Sequence, residues 1–211
     1  MADHPIFTES IRRIRDLLGE TGLDPLQQQV LERLVHSSGD PGLLPLLRFS
    51  QGACEQGLAA LQGGASILTD TAMAAAAVTP MARRTLGVSV RCLLDWAPSC
   101  SPEGSTRSAA AMQKAWPELS AAAALTGQAM PVVLVGSAPT ALDQLLDQLD
   151  AGAAAPALVI GMPVGFVGVP ESKRRLAATA LAQIRLEGTR GGAGLVAAAV
   201  NALLRAAQAA S

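Results

Sequence analysis

Leu26, Val30 and Leu34 recur at helical spacing behind Asp24-Pro25, a capping residue followed by proline at its favoured first helical position. Ser37-Ser38-Gly39 ends that run, and a second helical stretch covers residues 52–61, so the first third of the chain reads as helical. Beyond it, short apolar runs alternate with helical patterns. Residues 66–69, 88–94, 131–135, 157–160 and 183–186 read as strands, and residues 105–125, 138–149, 170–181 and 193–205 as helices. Repeated β-α alternation implies parallel strands with helices on both faces. The expectation is one domain over residues 1–211: a doubly wound, three-layer α/β/α fold with five parallel strands, preceded by helices.

Two long uncharged stretches, Leu119 to Leu142 and Ala151 to Pro170, raise the question of membrane spans. Both are interrupted by proline and glycine (Pro131, Gly136, Pro139, Gly161, Pro163, Gly165, Gly168), which reads instead as strand, loop and helix. Glu9, Arg12, Arg13, Arg15 and Asp16 stand where a signal peptide needs an apolar run, so the cytoplasm is the expected compartment. A net charge of -1 argues against the dense basic face that nucleic acid requires. Three cysteines without a close pair and only two histidines argue against a structural zinc site. Among 16 basic residues only Lys114 and Lys173 are lysine. Arginine grips carboxylates with a planar fork, which suits a ligand bearing many of them; codon bias in a GC-rich genome accounts for the same excess.

In an open α/β sheet the ligand lies beyond the carboxyl ends of the strands. The turns to inspect are therefore Asp70-Thr71, Asp95-Trp96, Gly136 to Pro139, Gly161 to Gly168 and Gly188 to Gly192. His36 closes the helix begun at Asp24. The helix macrodipole and Glu32, four residues earlier, are both expected to favour its cation, which suits a proton donor; a surface or capping histidine fits the same position. The glycine-rich turn around Arg190 offers backbone amides for an anion, yet it lacks the spacing of a nucleotide loop and equally fits a tight strand-to-helix turn. The loop Gly161-Met162-Pro163-Val164-Gly165-Phe166-Val167-Gly168 is apolar where such loops are normally polar, so it should pack against a flat ligand or another subunit. Ser137 reads as the N-cap of the helix that follows it. Arg107 opens a helix, where its charge is unfavourable, which points to an acidic partner or to plain solvent exposure.

Taken in order, several segments resemble one family. His4-Pro5-Ile6 with Ser10, Val35-His36-Ser37-Ser38-Gly39-Asp40, Ile67 to Thr71, and Thr106-Arg107-Ser108-Ala109-Ala110-Ala111-Met112 are similar to motifs of the precorrin-8X methylmutases. So are Ala138 to Leu142, Pro163 to Gly168 with Glu171-Ser172-Lys173, and Arg190-Gly191-Gly192 with Asn201-Ala202-Leu203. The resemblance implies a flavodoxin-like homodimer acting on a corrinoid macrocycle, whose methyl group it moves from C-11 to C-12. It implies that His36 protonates, or hydrogen-bonds to, a ring nitrogen and that Arg107 and Arg190 hold acetate and propionate arms. Further substrate contacts are implied for Ser10, Asp70, Ser137, Val164, Gly165, Phe166 and Gly191, the apolar loop lying against the macrocycle or the dimer interface. No cofactor and no metal site of the protein's own is expected; any cobalt belongs to the substrate, and the motifs are common to metal-free and cobalt-containing substrates. The chain departs from the family at Ser137, where asparagine is usual. A non-catalytic carrier that hands corrinoids to neighbouring enzymes would share these binding features.

Overall fold

The computed structural model describes residues 4–209, so the outermost ends of the expected domain, 1–3 and 210–211, lie outside the described residues. Two helices come first, α1 (Pro5–Leu18) and α2 (Pro25–Ser38). Asp24 caps α2 as expected, accepting from the backbone N–H of Leu26 and Gln27, and Gly39 closes it in the left-handed conformation that a glycine adopts without steric cost. A 3-10 segment, Pro41–Leu46, leads to β1 (Leu47–Phe49), and α3 (Ala53–Gln62) follows. Then come β2 (Ile67–Thr69), α4 (Ala72–Arg84), β3 (Val90–Cys92), α5 (Arg107–Thr126), β4 (Val132–Val135), α6 (Pro139–Asp150), β5 (Leu158–Gly161), α7 (Val169–Ala177), β6 (Gln183–Leu186) and α8 (Ala193–Ala209).

The strands form one sheet in the order β1-β6-β5-β4-β2-β3. The last five are mutually parallel and coincide with the five expected; their order is the doubly wound one with a single reversal between β2 and β4. The correction is a sixth strand, β1, which runs antiparallel along β6 and pairs Leu47 with Leu186. It covers an edge that would otherwise present unpaired backbone groups to solvent. The other element not expected is α4. Both interrupted apolar stretches resolve into strand, loop and helix, and no helix among the described residues is long and apolar enough to cross a membrane.

Burial on both sheet faces explains why the central strands read as continuous apolar runs. Alternation divides them between two cores. Ile67, Val132, Leu134, Leu158, Ile160 and Ile184 face α2, α3, α4 and α8, whereas Leu68, Val133, Val135 and Val159 face α5, α6 and α7. Each such side chain, once fully buried, contributes roughly 1.5–3 kcal/mol. Alanine gives α8 close neighbours on three sides: α2, α3 and α4 all lie against it. Gly57 of α3 shows how close, since a Cβ there would press on Leu158 and Leu203.

Candidate active site

Helices α4 and α6 leave adjacent strands toward opposite faces, which opens a crevice at the reversal between β2 and β4, the usual ligand position of such sheets. Here the crevice is occupied by the protein itself. Asp70, buried at the end of β2, accepts with one carboxylate oxygen from the backbone N–H groups of Gly136, Ser137 and Ala138 at 3.0, 2.6 and 2.9 Å. Three convergent amides form the kind of nest that elsewhere receives a phosphate. Its own burial pushes the Asp70 carboxyl above the usual carboxylate range, and those amides pull it back. Asp70 therefore holds the β4–α6 turn.

The same carboxylate accounts for a correction at Ser137. Helix α6 begins with Ala138 as its cap and without a side-chain capping bond, because Pro139 needs no partner and Asp70 already satisfies the turn's amides. Ser137 gives only its backbone N–H to the turn and stands exposed.

Next to this turn, the loops after β5 and β6 are locked backbone to backbone. Val164 donates its N–H to Gly136 O, Gly165 to Thr189 O and Gly192 to Met162 O, at 3.1, 3.1 and 2.9 Å. A Cβ on Gly191 would overlap the Met162 carbonyl, and one on Gly136 would press on the backbone of Gly192 and Ala193. Gly191 is thus required by packing. Below the turn, Lys173 of α7 is 2% exposed and donates to Gly188 O and Arg190 O at 2.9 and 2.6 Å; burial pushes its ammonium down to about 8.

Arg190 projects from this platform to the end of α2, where its Nη1 lies 3.1 Å from Asp40 Oδ2 and donates to Gly42 O at 3.0 Å. That bridge ties the segment just after α2, four residues beyond His36, to the turn after β6. His36 is exposed; its Nδ1 lies 2.9 Å from Ser10 Oγ, and the ring meets Phe7 edge-on at 5.2 Å between centroids. The guanidiniums of Arg33 and Arg205 stand 5.0 and 4.9 Å from the Phe7 centroid. The expected electrostatics of His36 are overturned. Partial burial and, after it, Arg33 lower its pKa below that of an ordinary histidine. Glu32, expected to favour the cation, is only 3% exposed and is held by Arg15 at 2.6 Å and by Gln28 at 3.0 Å.

Between these groups the apolar loop stands into solvent, with Phe166 86% and Val167 90% exposed and Val164 half-exposed. Arg107 lies at the start of α5, exposed and donating from Nε to Pro98 O at 2.8 Å. A hydrogen bond between Thr106 and Thr140, 2.7 Å long, ties the α5 start to that of α6. The structure pairs His36 with Ser10, ties Arg190 to Asp40 and Gly42 just beyond α2, interlocks the loops that carry Val164, Gly165, Phe166 and Gly191, joins Asp70 to the Ser137 turn, and sets Arg107 at the start of α5, which is fastened to that of α6. Phe7, Asp40 and the buried state of Lys173 were not identified from the sequence, although Asp40 and Lys173 lie in the quoted motifs.

A family model for precorrin-8X methylmutase matches residues 5–206. The chain is 42% identical over 207 residues to the precorrin-8X methylmutase of Pseudomonas aeruginosa, covering 94% of this chain and 93% of that one. It is 33% identical to the cobalt-precorrin-8 methylmutase of Synechocystis, covering 96% and 95%. Among solved structures, the precorrin-8X methyl mutase of Thermus thermophilus superposes with a TM-score of 0.81 at 40% identity, over 97% of this chain and 96% of that one. With motifs in order, sheet topology and near-complete coverage in agreement, this chain belongs to the precorrin-8X methylmutase family.

Proposed function

We propose that this protein is an isomerase of cobalamin biosynthesis that moves a methyl group from C-11 to C-12 of precorrin-8X or cobalt-precorrin-8, with His36 as the proton donor. The observation that carries the reading is a carboxyl edge bearing Arg190, Arg107 and an exposed apolar loop, with His36, paired to Ser10, in the last turn of the helix whose following segment Arg190 grips. Such an edge suits a broad macrocycle with carboxylate arms at its rim and an apolar face against Val164, Gly165 and Phe166. In the imidazolium, Nδ1–H donates to Ser10 Oγ, which orients the ring and leaves the Nε2 proton for the macrocycle. Burial and Arg33 make the imidazolium a stronger acid than usual, so it releases its proton readily. Protonation of a ring nitrogen draws electron density from the macrocycle. The methyl group then migrates with its bonding pair retained inside the substrate, the ring nitrogen returns its proton to His36, and no external nucleophile or electron carrier enters. Cobalt, where present, arrives with the substrate.

A homodimer in the cytoplasm, passing its product to neighbouring enzymes of the pathway, fits the same reading. The exposed Phe166 and Val167 give a second copy an apolar surface to cover, and a second copy would enclose the macrocycle from the open side.

The test is turnover of metal-free and cobalt-containing substrates side by side, read from the visible absorbance of the corrin product. A carrier binds and converts nothing; such a result overturns the enzymatic reading. The pH dependence follows from the sign of the His36 shift. The active form is protonated and exists below a lowered pKa, so kcat/KM should fall as pH rises, with its midpoint on the acid side of the ordinary histidine value of 6.5. Arg33→Met should move that midpoint upward. A limb that persists in His36→Ala would assign the titration to another group.

A further inference from the structure

We infer that Lys173 is a positioning residue for substrate binding: its buried ammonium fastens the turn that carries Arg190 and so fixes where that guanidinium meets a carboxylate arm. The inference rests on the methylmutase reading for the identity of the ligand, and on geometry alone for the fastening. Lys173 is set in a run of charged residues, Glu171 to Arg175, where an exposed lysine would be ordinary. Its neighbours behave that way: Arg174 pairs with Glu171, and Arg175 with Asp147 and Asp150, all at the surface. Lys173 alone of these cations is turned inward. Its partners are two backbone carbonyls, Gly188 O and Arg190 O, rather than a carboxylate. Burying a cation is costly, and a site that needed only packing would be better served by an apolar side chain. What the ammonium does here is specific. It joins the first and third residues of the glycine-rich turn, and one of them is Arg190 itself. A donor on the inner side of the Arg190 backbone leaves the side chain free to reach Asp40 and Gly42 on α2. The turn is thereby held between α7 below and the His36-bearing segment above.

The experiment uses the full chain with cobyrinate as the probe, followed by visible absorbance, in the wild type, Lys173→Met, Arg190→Ala and the double variant. Lys173→Met and Arg190→Ala should each weaken binding about tenfold, close to the ~1.4 kcal/mol of a hydrogen bond made well. The double variant should bind no more weakly than Arg190→Ala alone, because the lysine acts through that arginine. At saturating substrate, kcat of Lys173→Met should stay within a few-fold of wild type, with the His36 pH limb unmoved, so the loss is read in KM. Losses that add in the double variant, or a kcat that collapses at unchanged KM, overturn the inference. Should Lys173→Met fail to fold, Lys173→Gln, which keeps an uncharged donor, is measured in its place against the same criteria. If the wild type itself does not bind cobyrinate, the methylmutase reading falls on that result. The fastening is then decided by amide hydrogen exchange at Gly165 and Gly192, the bonds that join the turn to the apolar loop. Exchange faster than wild type in the variant supports it and unchanged exchange overturns it.

Discussion

His36→Ala is expected to lower kcat by 10²–10⁴-fold, the usual range for removal of a positioned acid, while leaving the melting temperature and corrinoid affinity near those of the wild type. The separation follows from where the ring sits. His36 is exposed at a helix end, so truncation opens no cavity in either core. Its two contacts, the Ser10 hydroxyl and the edge of Phe7, belong to α1 and orient the ring without supporting the sheet. Substrate affinity is assigned to Arg190, Arg107 and the apolar loop, none of which touches the imidazole. Ser10→Ala should fall between wild type and His36→Ala, since it retains the acid and releases only its orientation. Measured by single-turnover absorbance with circular dichroism as the control, an active His36→Ala protein would remove the proposed donor. A loss confined to KM would place His36 among the binding groups instead.

The sequence made the central architecture readable because strands buried on both faces must be short and apolar. The five parallel strands stand where that pattern put them. Strand β1 escaped because Leu47-Arg48-Phe49 is only three residues long and owes its extended form to pairing with β6. Helix α4 escaped for another reason. Its buried positions, Ala74, Val78, Met81 and Ala82, recur at helical spacing, but alanines on its exposed side erase the polar contrast and Pro80 reads as a break. At the site, His36 and Arg190 were legible as chemistry, whereas their surroundings were not. Arg33 lowers the His36 pKa from the helix's own sequence, yet Glu32 beside it is consumed by Arg15 of another helix, and only the tertiary arrangement decides between them. Gly191 was legible as a motif residue, but the need for glycine there comes from the Met162 carbonyl, a neighbour 29 positions away in sequence (191 − 162). Contacts set by loop against loop leave no local signal.

Asp70→Ala is expected to produce the largest loss of stability among substitutions at this edge. It would leave three inward amides, those of Gly136, Ser137 and Ala138, without an acceptor. Hydrogen bonds to a charged group contribute ~1.5–3 kcal/mol each, and three sharing one oxygen do not add in full, so a total of about 3 kcal/mol is the expected scale. For a chain of this size that corresponds to a melting temperature lower by roughly 6–12 °C. Asp70→Asn keeps a carbonyl acceptor and should cost less. The pH dependence separates the anchor from simple packing. The folded carboxyl titrates above its unfolded value, so the folded state holds the extra proton in that window, and Asp70's share of stability declines as pH rises through it. Asp70→Asn carries no such group, and its stability relative to wild type should therefore be least favourable at the acid end of the window and recover above it. Because Gly136 O also receives the N–H of Val164, release of the turn would loosen the apolar loop, and substrate affinity should fall together with the melting temperature. An Asp70→Ala protein that melts like the wild type would mean that the three amides find other acceptors and that the crevice is open to a ligand after all.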